Sequence, residues 1–173
     1  MNCGIEALGA TDIYLIDQIM KGRYAAPASI LDAGAGHGRN LSWFAKQGLV
    51  IHGTDRDAGA VEQLRRNYPG VPAENFQVAL VDELPFSDAR FDHVICCAVL
   101  HFAESESHFR KMFGELVRVL KPGGSLFARV ATDVGLADRM IPLGHGRFTM
   151  PDGSDRFLLT RSLLASLLDV HRL

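Results

Sequence analysis

The sequence is poor in cysteine and has no spacing that would make its cysteines a framework. There are three in 173 residues: Cys3 stands alone near the start, and Cys96 and Cys97 are neighbours in an apolar run. That pattern excludes a disulfide scaffold and a metal-ligand set. Small buried thiols in a reducing, cytoplasmic compartment are the expectation. An excess of positive charge is also lacking. Lysine and arginine number 18 against 20 aspartates and glutamates, a net charge of −2, which leaves no electrostatic footprint for nucleic-acid backbones or anionic membranes. No apolar run approaches the roughly 20 residues of a membrane span. Met1–Ala10 has no basic region followed by an apolar one, so no secretory signal is expected.

What the chain does have is strand-and-helix alternation, with 47% hydrophobic and 22% charged residues, the balance of an ordinary globular protein. Its length predicts one domain, 1–173: an N-terminal helix or lid over 1–27, a core over 28–132, and a loop and last helix over 133–173. A helix is predicted over Thr11–Tyr24, with Thr11 as N-cap and Ile13, Ile16, Ile19 and Met20 facing inward. Strands are predicted over Ala28–Ala33, Val50–Asp55, Asn75–Val81, Phe91–Val99 and Ser125–Ala131. Helices fall over Arg39–Gln47, Ala58–Asn67, a segment from Phe109 with apolar residues to Leu120, and Thr160–Leu168. Asp133–Asp155, rich in glycine and proline, reads as a long mobile loop. The fold class is α/β, a Rossmann-like three-layer sandwich around a mainly parallel sheet.

In such a sheet the ligand crevice lies beyond the carboxyl ends of the strands. Ile30–Asn40, Ile-Leu-Asp-Ala-Gly-Ala-Gly-His-Gly-Arg-Asn, is a strand, a glycine turn and a helix start, which aims backbone N–H groups at a nucleotide-like ligand. Asp55, at the next strand end, is placed for ribose hydroxyls; the bland alternative is a solvated turn acid. The glycines form G-x-G-x-G rather than the G-x-G-x-x-G of nicotinamide enzymes. Further along stand Leu84-Pro85-Phe86-Ser87-Asp88-Ala89-Arg90-Phe91-Asp92-His93-Val94 and Val119-Leu120-Lys121-Pro122-Gly123-Gly124.

With these three motifs in order, the sequence resembles the class I S-adenosylmethionine-dependent methyltransferases over about Ile30–Ala131. Gly38-Arg39-Asn40, with Gly48 and Asp55, is also similar to the tellurite-resistance type. The resemblance implies S-adenosylmethionine as cofactor and S-adenosylhomocysteine as product. It assigns Asp32 and the backbone of Ala33, Gly34, Ala35, Gly36 and Gly38 to the methionine part, and Arg39 and Asn40 to its carboxylate. Asp55 takes the ribose, Arg56 lies beside the adenine, Leu80 and Val81 line the adenine pocket, and Cys97 lies near the sulfonium.

Two departures stand out. The usual adenine-binding acid or amide is replaced by Leu80, so either Asp82 serves or water and backbone do. The chain also stops at Leu173, almost at the end of the last helix, where relatives add an antiparallel hairpin. The expectation is five strands with that hairpin missing, through truncation or with the edge covered by a partner.

A sulfonium methyl is a strong electrophile, so the main task is in-line alignment of an acceptor; a base is needed only where the acceptor must lose a proton. His101, just past the fourth strand, is the candidate base, against a structural histidine at a helix start. His145 and Arg147 are candidate substrate contacts in the loop, against the bland reading of a solvated loop, and Tyr14 a candidate lid residue. His37 is a neighbour of the cofactor only; His52, His93, His108 and His171 show no ligand spacing, and no metal is expected. The function so read is methyl transfer to a small-molecule acceptor, with a homo-oligomer open. A cofactor-binding protein acting through a partner is the alternative, and a nicotinamide oxidoreductase survives only on the glycine turn.

Overall fold

The computed structural model describes residues 9–135 and 139–173; Cys3 and most of the stretch read for a leader lie outside them. Five parallel strands form the central sheet: β1 (Ser29–Ala33), β2 (Val50–Asp55), β3 (Phe76–Val78), β4 (Phe91–Cys97) and β5 (Leu120–Arg129). Their spatial order is β3-β2-β1-β4-β5. The chain moves outward from β1 to β3, then returns to the other side of β1 with β4. The crevice between β1 and β4 is therefore the switch point, where an open α/β sheet binds ligands.

Helices α1 (Ile13–Met20), α2 (Ser42–Lys46), α3 (Ala58–Asn67), α4 (Glu106–Val119) and α5 (Arg161–His171) cover both faces. Two apolar clusters result. One packs Phe109, Met112, Phe113 and Leu116 of α4 and Leu163 and Leu167 of α5 against Leu31, Val94 and Cys96. The other packs Leu15, Phe44, Val61 and Leu64 against Ile30, Ile51 and Ile95. Covered by helices on both faces, β4 is the most apolar of these strands, with Phe91 and Val94–Cys97 all buried, as a parallel strand buried on both faces is.

The expectation of a missing antiparallel hairpin is overturned. Strands β6 (Ile141–Gly144), β7 (Arg147–Thr149) and β8 (Asp155–Phe157) form an antiparallel sheet of their own, within the region read as loop. His145 and Gly146 link β6 to β7 with φ of 54° and 81°, the two positive values that a tight I′-type hairpin turn needs. Phe157 of β8 then stacks on Phe109 with ring centroids 5.0 Å apart, which docks this small sheet on the α4 face.

Helix α1 also differs from its prediction. Asp12, not Thr11, is the N-cap, its carboxylate accepting from the Tyr14 amide at 3.1 Å. The buried pair is Leu15 and Ile19, while Ile13 and Met20 lie exposed; a helix this short turns its whole face to suit its cap. β3 is shorter than read, and β5 begins earlier, at Leu120. The Lys-Pro-Gly-Gly turn is an irregularity inside the β4–β5 pairing, between Phe91↔Leu120 and His93↔Ser125.

The Leu-Pro-Phe segment is held by one side chain. Arg118, near the end of α4, donates to the carbonyls of Leu84 (3.0 Å) and Phe86 (2.7 Å) and to Asp88 (2.8 Å). Its Nε and Nη2 also donate to the two oxygens of Glu115, at 2.6 and 2.8 Å, and Glu115 accepts from the Leu84 amide. A planar guanidinium with five donors is the one side chain able to satisfy all of these.

Candidate cofactor site

The turn after β1 is built by close approach. Gly34 and Gly38 have φ of 81° and 84°, and a Cβ on either would run into Val99 or Leu64 respectively. Neither position admits a side chain, because both the left-handed conformation and the space forbid it. The Gly34 and Ala35 amides donate to Thr54 O, each at 2.8 Å, tying the turn to β2. Tyr68 Oη donates to Gly38 O at 2.7 Å and closes it from α3.

Asp55 joins the two loops. Its carboxylate accepts from the Gly36 amide at 2.8 Å and from the Asp57 amide at 3.0 Å. Each oxygen keeps a further lone pair, so the acid is oriented yet still able to accept. Asp32 is the opposite case. It is fully buried, and neither oxygen has a hydrogen-bond partner among the described residues. Burial pushes its carboxyl up to about 7, against the opposing pull of the Asn40 amide, which approaches without reaching hydrogen-bond geometry, and of the Arg39 charge. A buried anion without a partner calls for a cationic neighbour.

Beyond the turn lies a cleft of about 320 Å³. Of the residues singled out from the sequence, Gly34, Asp55, Arg56, Leu80, Val81, Asp82 and Cys97 line it. Ala33, Ala35, Gly36 and Gly38 belong to the adjoining turn. Arg39 and Asn40 are directed at α1 instead: Asn40 Oδ1 accepts from the Asp12 amide at 3.1 Å, and Arg39 lies 3.9 Å from the Asp12 carboxylate. Arg39 also reaches the Cys97 sulfur at 3.8 Å, and burial raises the Cys97 thiol.

Leu80 is half exposed on the cleft wall. Two residues on, Asp82 accepts from Lys111 Nζ at 2.8 Å and lies 3.8 Å from His108 Nε2; these contacts, led by the Lys111 hydrogen bond, hold its carboxyl below the usual range. Phe102, His108 and Met112 line the cleft as well. Sequence reasoning missed them.

His101 does not line this cleft. It borders a second cavity of about 450 Å³, with Arg129, Arg156, Val130 and Ala131. Ala98, with φ of 63°, borders both. Arg156 Nη1 lies 3.3 Å from His101 Nε2. A guanidinium only donates, so Nε2 accepts and the proton sits on Nδ1. Burial, reinforced by Arg156 and Arg129, lowers this imidazole to about 4, so it is neutral at pH 7. His145 and Arg147 border neither cavity: His145 sits in the β6–β7 turn and Arg147 on β7. Tyr14 is exposed on α1, with the Arg129 guanidinium 5.7 Å from its ring centre. Among the described residues no cluster of three or more His, Cys, Asp or Glu is arranged for a metal ion. None of the described helices is long and apolar enough to cross a membrane.

A 3-2-1-4-5 sheet with a glycine turn, a carboxylate at the end of β2 and a cleft above both defines a nucleotide-type binding fold. Within that class the chain belongs to the S-adenosylmethionine-dependent methyltransferases of class I: the profile of the methyltransferase domain matches residues 31–128. It is 36% identical over 108 residues to a demethylmenaquinone methyltransferase of Clavibacter sepedonicus, covering 60% of this chain and 42% of that protein. The chain spans less than half the length of the curated relatives it matches. In fold it is similar to an S-adenosylmethionine-dependent methyltransferase of Methanosarcina mazei, with a TM-score of 0.73 at 24% identity, covering 89% and 83% of the two chains. A second likeness is to the 1,6-didemethyltoxoflavin-N1-methyltransferase of Burkholderia thailandensis, solved with bound 1,6-didemethyltoxoflavin and S-adenosylhomocysteine. There the TM-score is 0.63 at 22% identity, with 98% and 67% covered.

Proposed function

We propose that this chain transfers the methyl group of S-adenosylmethionine to a small-molecule acceptor by in-line displacement. The observation that carries the reading is the buried, partnerless Asp32 beneath a glycine turn whose Gly36 amide is already bound to Asp55. When bound, the cofactor supplies an electrophilic methyl on a sulfonium and a cationic α-ammonium group. Asp32 balances that positive charge, and Asp55 accepts from the ribose hydroxyls with its spare lone pairs. The apolar wall of Leu80 and Val81 takes the adenine, with Arg56 beside it and Asp82 in reach of the amino group. Arg39 and Asn40 serve the cofactor carboxylate only by loosening their contacts with α1. Cys97, at the end of β4, borders the methyl position, and the chain's part in the step is orientation and exclusion of water.

His101 faces the acceptor side. As a base it needs Nε2 freed from Arg156; as it stands, its Nδ1–H is a donor. The reading includes a cytoplasmic protein, supported by the free, buried thiols of Cys96 and Cys97.

Isothermal titration with S-adenosylhomocysteine, followed by an acceptor screen for turnover, tests the reading. Protonated Asp32 cannot pair with a cation, and binding draws its carboxyl down from about 7. Affinity should therefore be level above pH 7 and fall about tenfold by pH 6. Asp32→Asn should bind weakly with no such slope. A folded protein that takes up no S-adenosylhomocysteine at millimolar concentration would sink the proposal.

A further inference from the structure

The second cavity is cationic, and the cofactor reading leaves it without a role. Its polar lining is Arg129, at the end of β5, Arg156 on β8, and His101; no carboxylate lines it. Acids touch the two arginines from outside the cavity. Asp12 accepts from Arg129 Nη1 at 2.9 Å, and Asp152 lies 3.7 Å from Arg156 Nη2. Arg156 is further braced by Ser154, which accepts from its Nε at 2.8 Å. The guanidiniums thus come from two different sheets, each held from behind. His101 is 4% exposed, and its Nδ1 has no partner among the described residues.

We propose that this cavity is an acceptor subsite for a carboxylate: Arg129 and Arg156 hold the carboxylate of a small-molecule methyl acceptor across Ala98 from the cofactor cleft. The inference rests on the cofactor reading for its link to methyl transfer. Guanidinium forks match planar oxyanions. Asp12 and Asp152 already offset part of the arginines' charge, which suits one negative charge rather than a phosphate dianion. Val130 and Ala131 give the remaining wall apolar character, as a compact organic acid requires.

The probe is succinate, titrated into the protein with and without saturating S-adenosylhomocysteine, beside neutral succinamide and inorganic phosphate. Saturable succinate binding near a millimolar Kd is expected, with succinamide at least about tenfold weaker. Arg156→Met should lose about tenfold or more in succinate affinity while keeping S-adenosylhomocysteine affinity, and Arg156→Lys should fall between. Equal binding of succinamide, no saturation by about 50 mM succinate, tighter binding of phosphate, or an unaltered Arg156→Met overturns the proposal. If Arg156→Met fails to fold, the succinate–succinamide comparison on the unaltered chain and the Arg156→Lys titration decide. Failure of S-adenosylhomocysteine to bind strikes the cofactor reading alone, since the titration without it reads the carboxylate subsite by itself.

Discussion

Asp55→Ala is expected to weaken S-adenosylhomocysteine binding by about 10- to 150-fold with little loss of stability. The side chain does two jobs at once. It orients the glycine turn by accepting from the Gly36 amide and holds the start of the next loop through the Asp57 amide. Charge-assisted hydrogen bonds of this kind contribute about 1.5–3 kcal/mol each, and loss of one ribose contact in that range corresponds to about 10- to 150-fold in Kd. Folding should change little, because Asp55 is only half buried and water replaces it on both amides. Asp55→Asn keeps one acceptor oxygen and should fall between. Calorimetric titration of the three proteins, with melting curves alongside, reads both quantities; an affinity within about threefold of the parent for Asp55→Ala would remove Asp55 from the cofactor site.

Arg118→Met should be the most destabilising single substitution outside the apolar core, by about 2–4 kcal/mol. The methionine keeps the aliphatic stem but leaves the carbonyls of Leu84 and Phe86 without their donor, and Glu115 without its cation. Glu115 cannot simply turn to solvent, since its side chain is only 19% exposed and also accepts from the Leu84 amide. For a chain of this size the loss amounts to a fall in Tm of about 5–15 °C. A double variant with Glu115→Leu should recover part of it, because the uncompensated acid is then gone. Urea unfolding of the single and double variants measures both. A single-variant change below about 0.5 kcal/mol, the range of an ordinary surface site, would mean the Leu-Pro-Phe segment is held by its apolar contacts alone.

That cluster shows what was legible in the sequence and what was not. Leu84-Pro85-Phe86-Ser87-Asp88 and Lys121-Pro122-Gly123-Gly124 could be recognised as patterns. The reason they travel together lies in Arg118, 34 residues from Leu84, and no local periodicity reveals such a pairing. The five parallel strands were legible because β4 is a nearly continuous apolar run, and because the apolar pairs Ile30-Leu31 and Val50-Ile51 are followed by a glycine turn and a terminal acid. The antiparallel sheet was not, because β6 is exposed along its whole length and shows no inside–outside alternation. One local signal did mark it: His145-Gly146, which behaves as Asn-Gly does in a hairpin, and histidine is among the residues that tolerate positive φ.

Arg156 was missed for a related reason. It becomes a neighbour of His101 only when β8 folds back on α4, and the two are 55 residues apart. The direction of α1 was misread because its apolar residues outnumber what one face can bury. Asp12, whose carboxylate caps the helix and pairs with Arg129, selected Leu15 and Ile19 over Ile13 and Met20.

Asp12 has one more consequence. Eight residues are too few for a helix to persist in water unaided, so α1 exists by virtue of its moorings, and one of these is a guanidinium on the wall of the cationic cavity. Asp12 holds that arginine from outside the cavity, so the helix cap and any oxyanion inside share one guanidinium. By thermodynamic reciprocity, an anion that fixes Arg129 would firm the first helix, and a firmly docked first helix would strengthen the anion to the same degree. The order of residues 12–20 is then a gauge of whether the cavity is filled, readable by amide exchange at a distance from the chemistry itself.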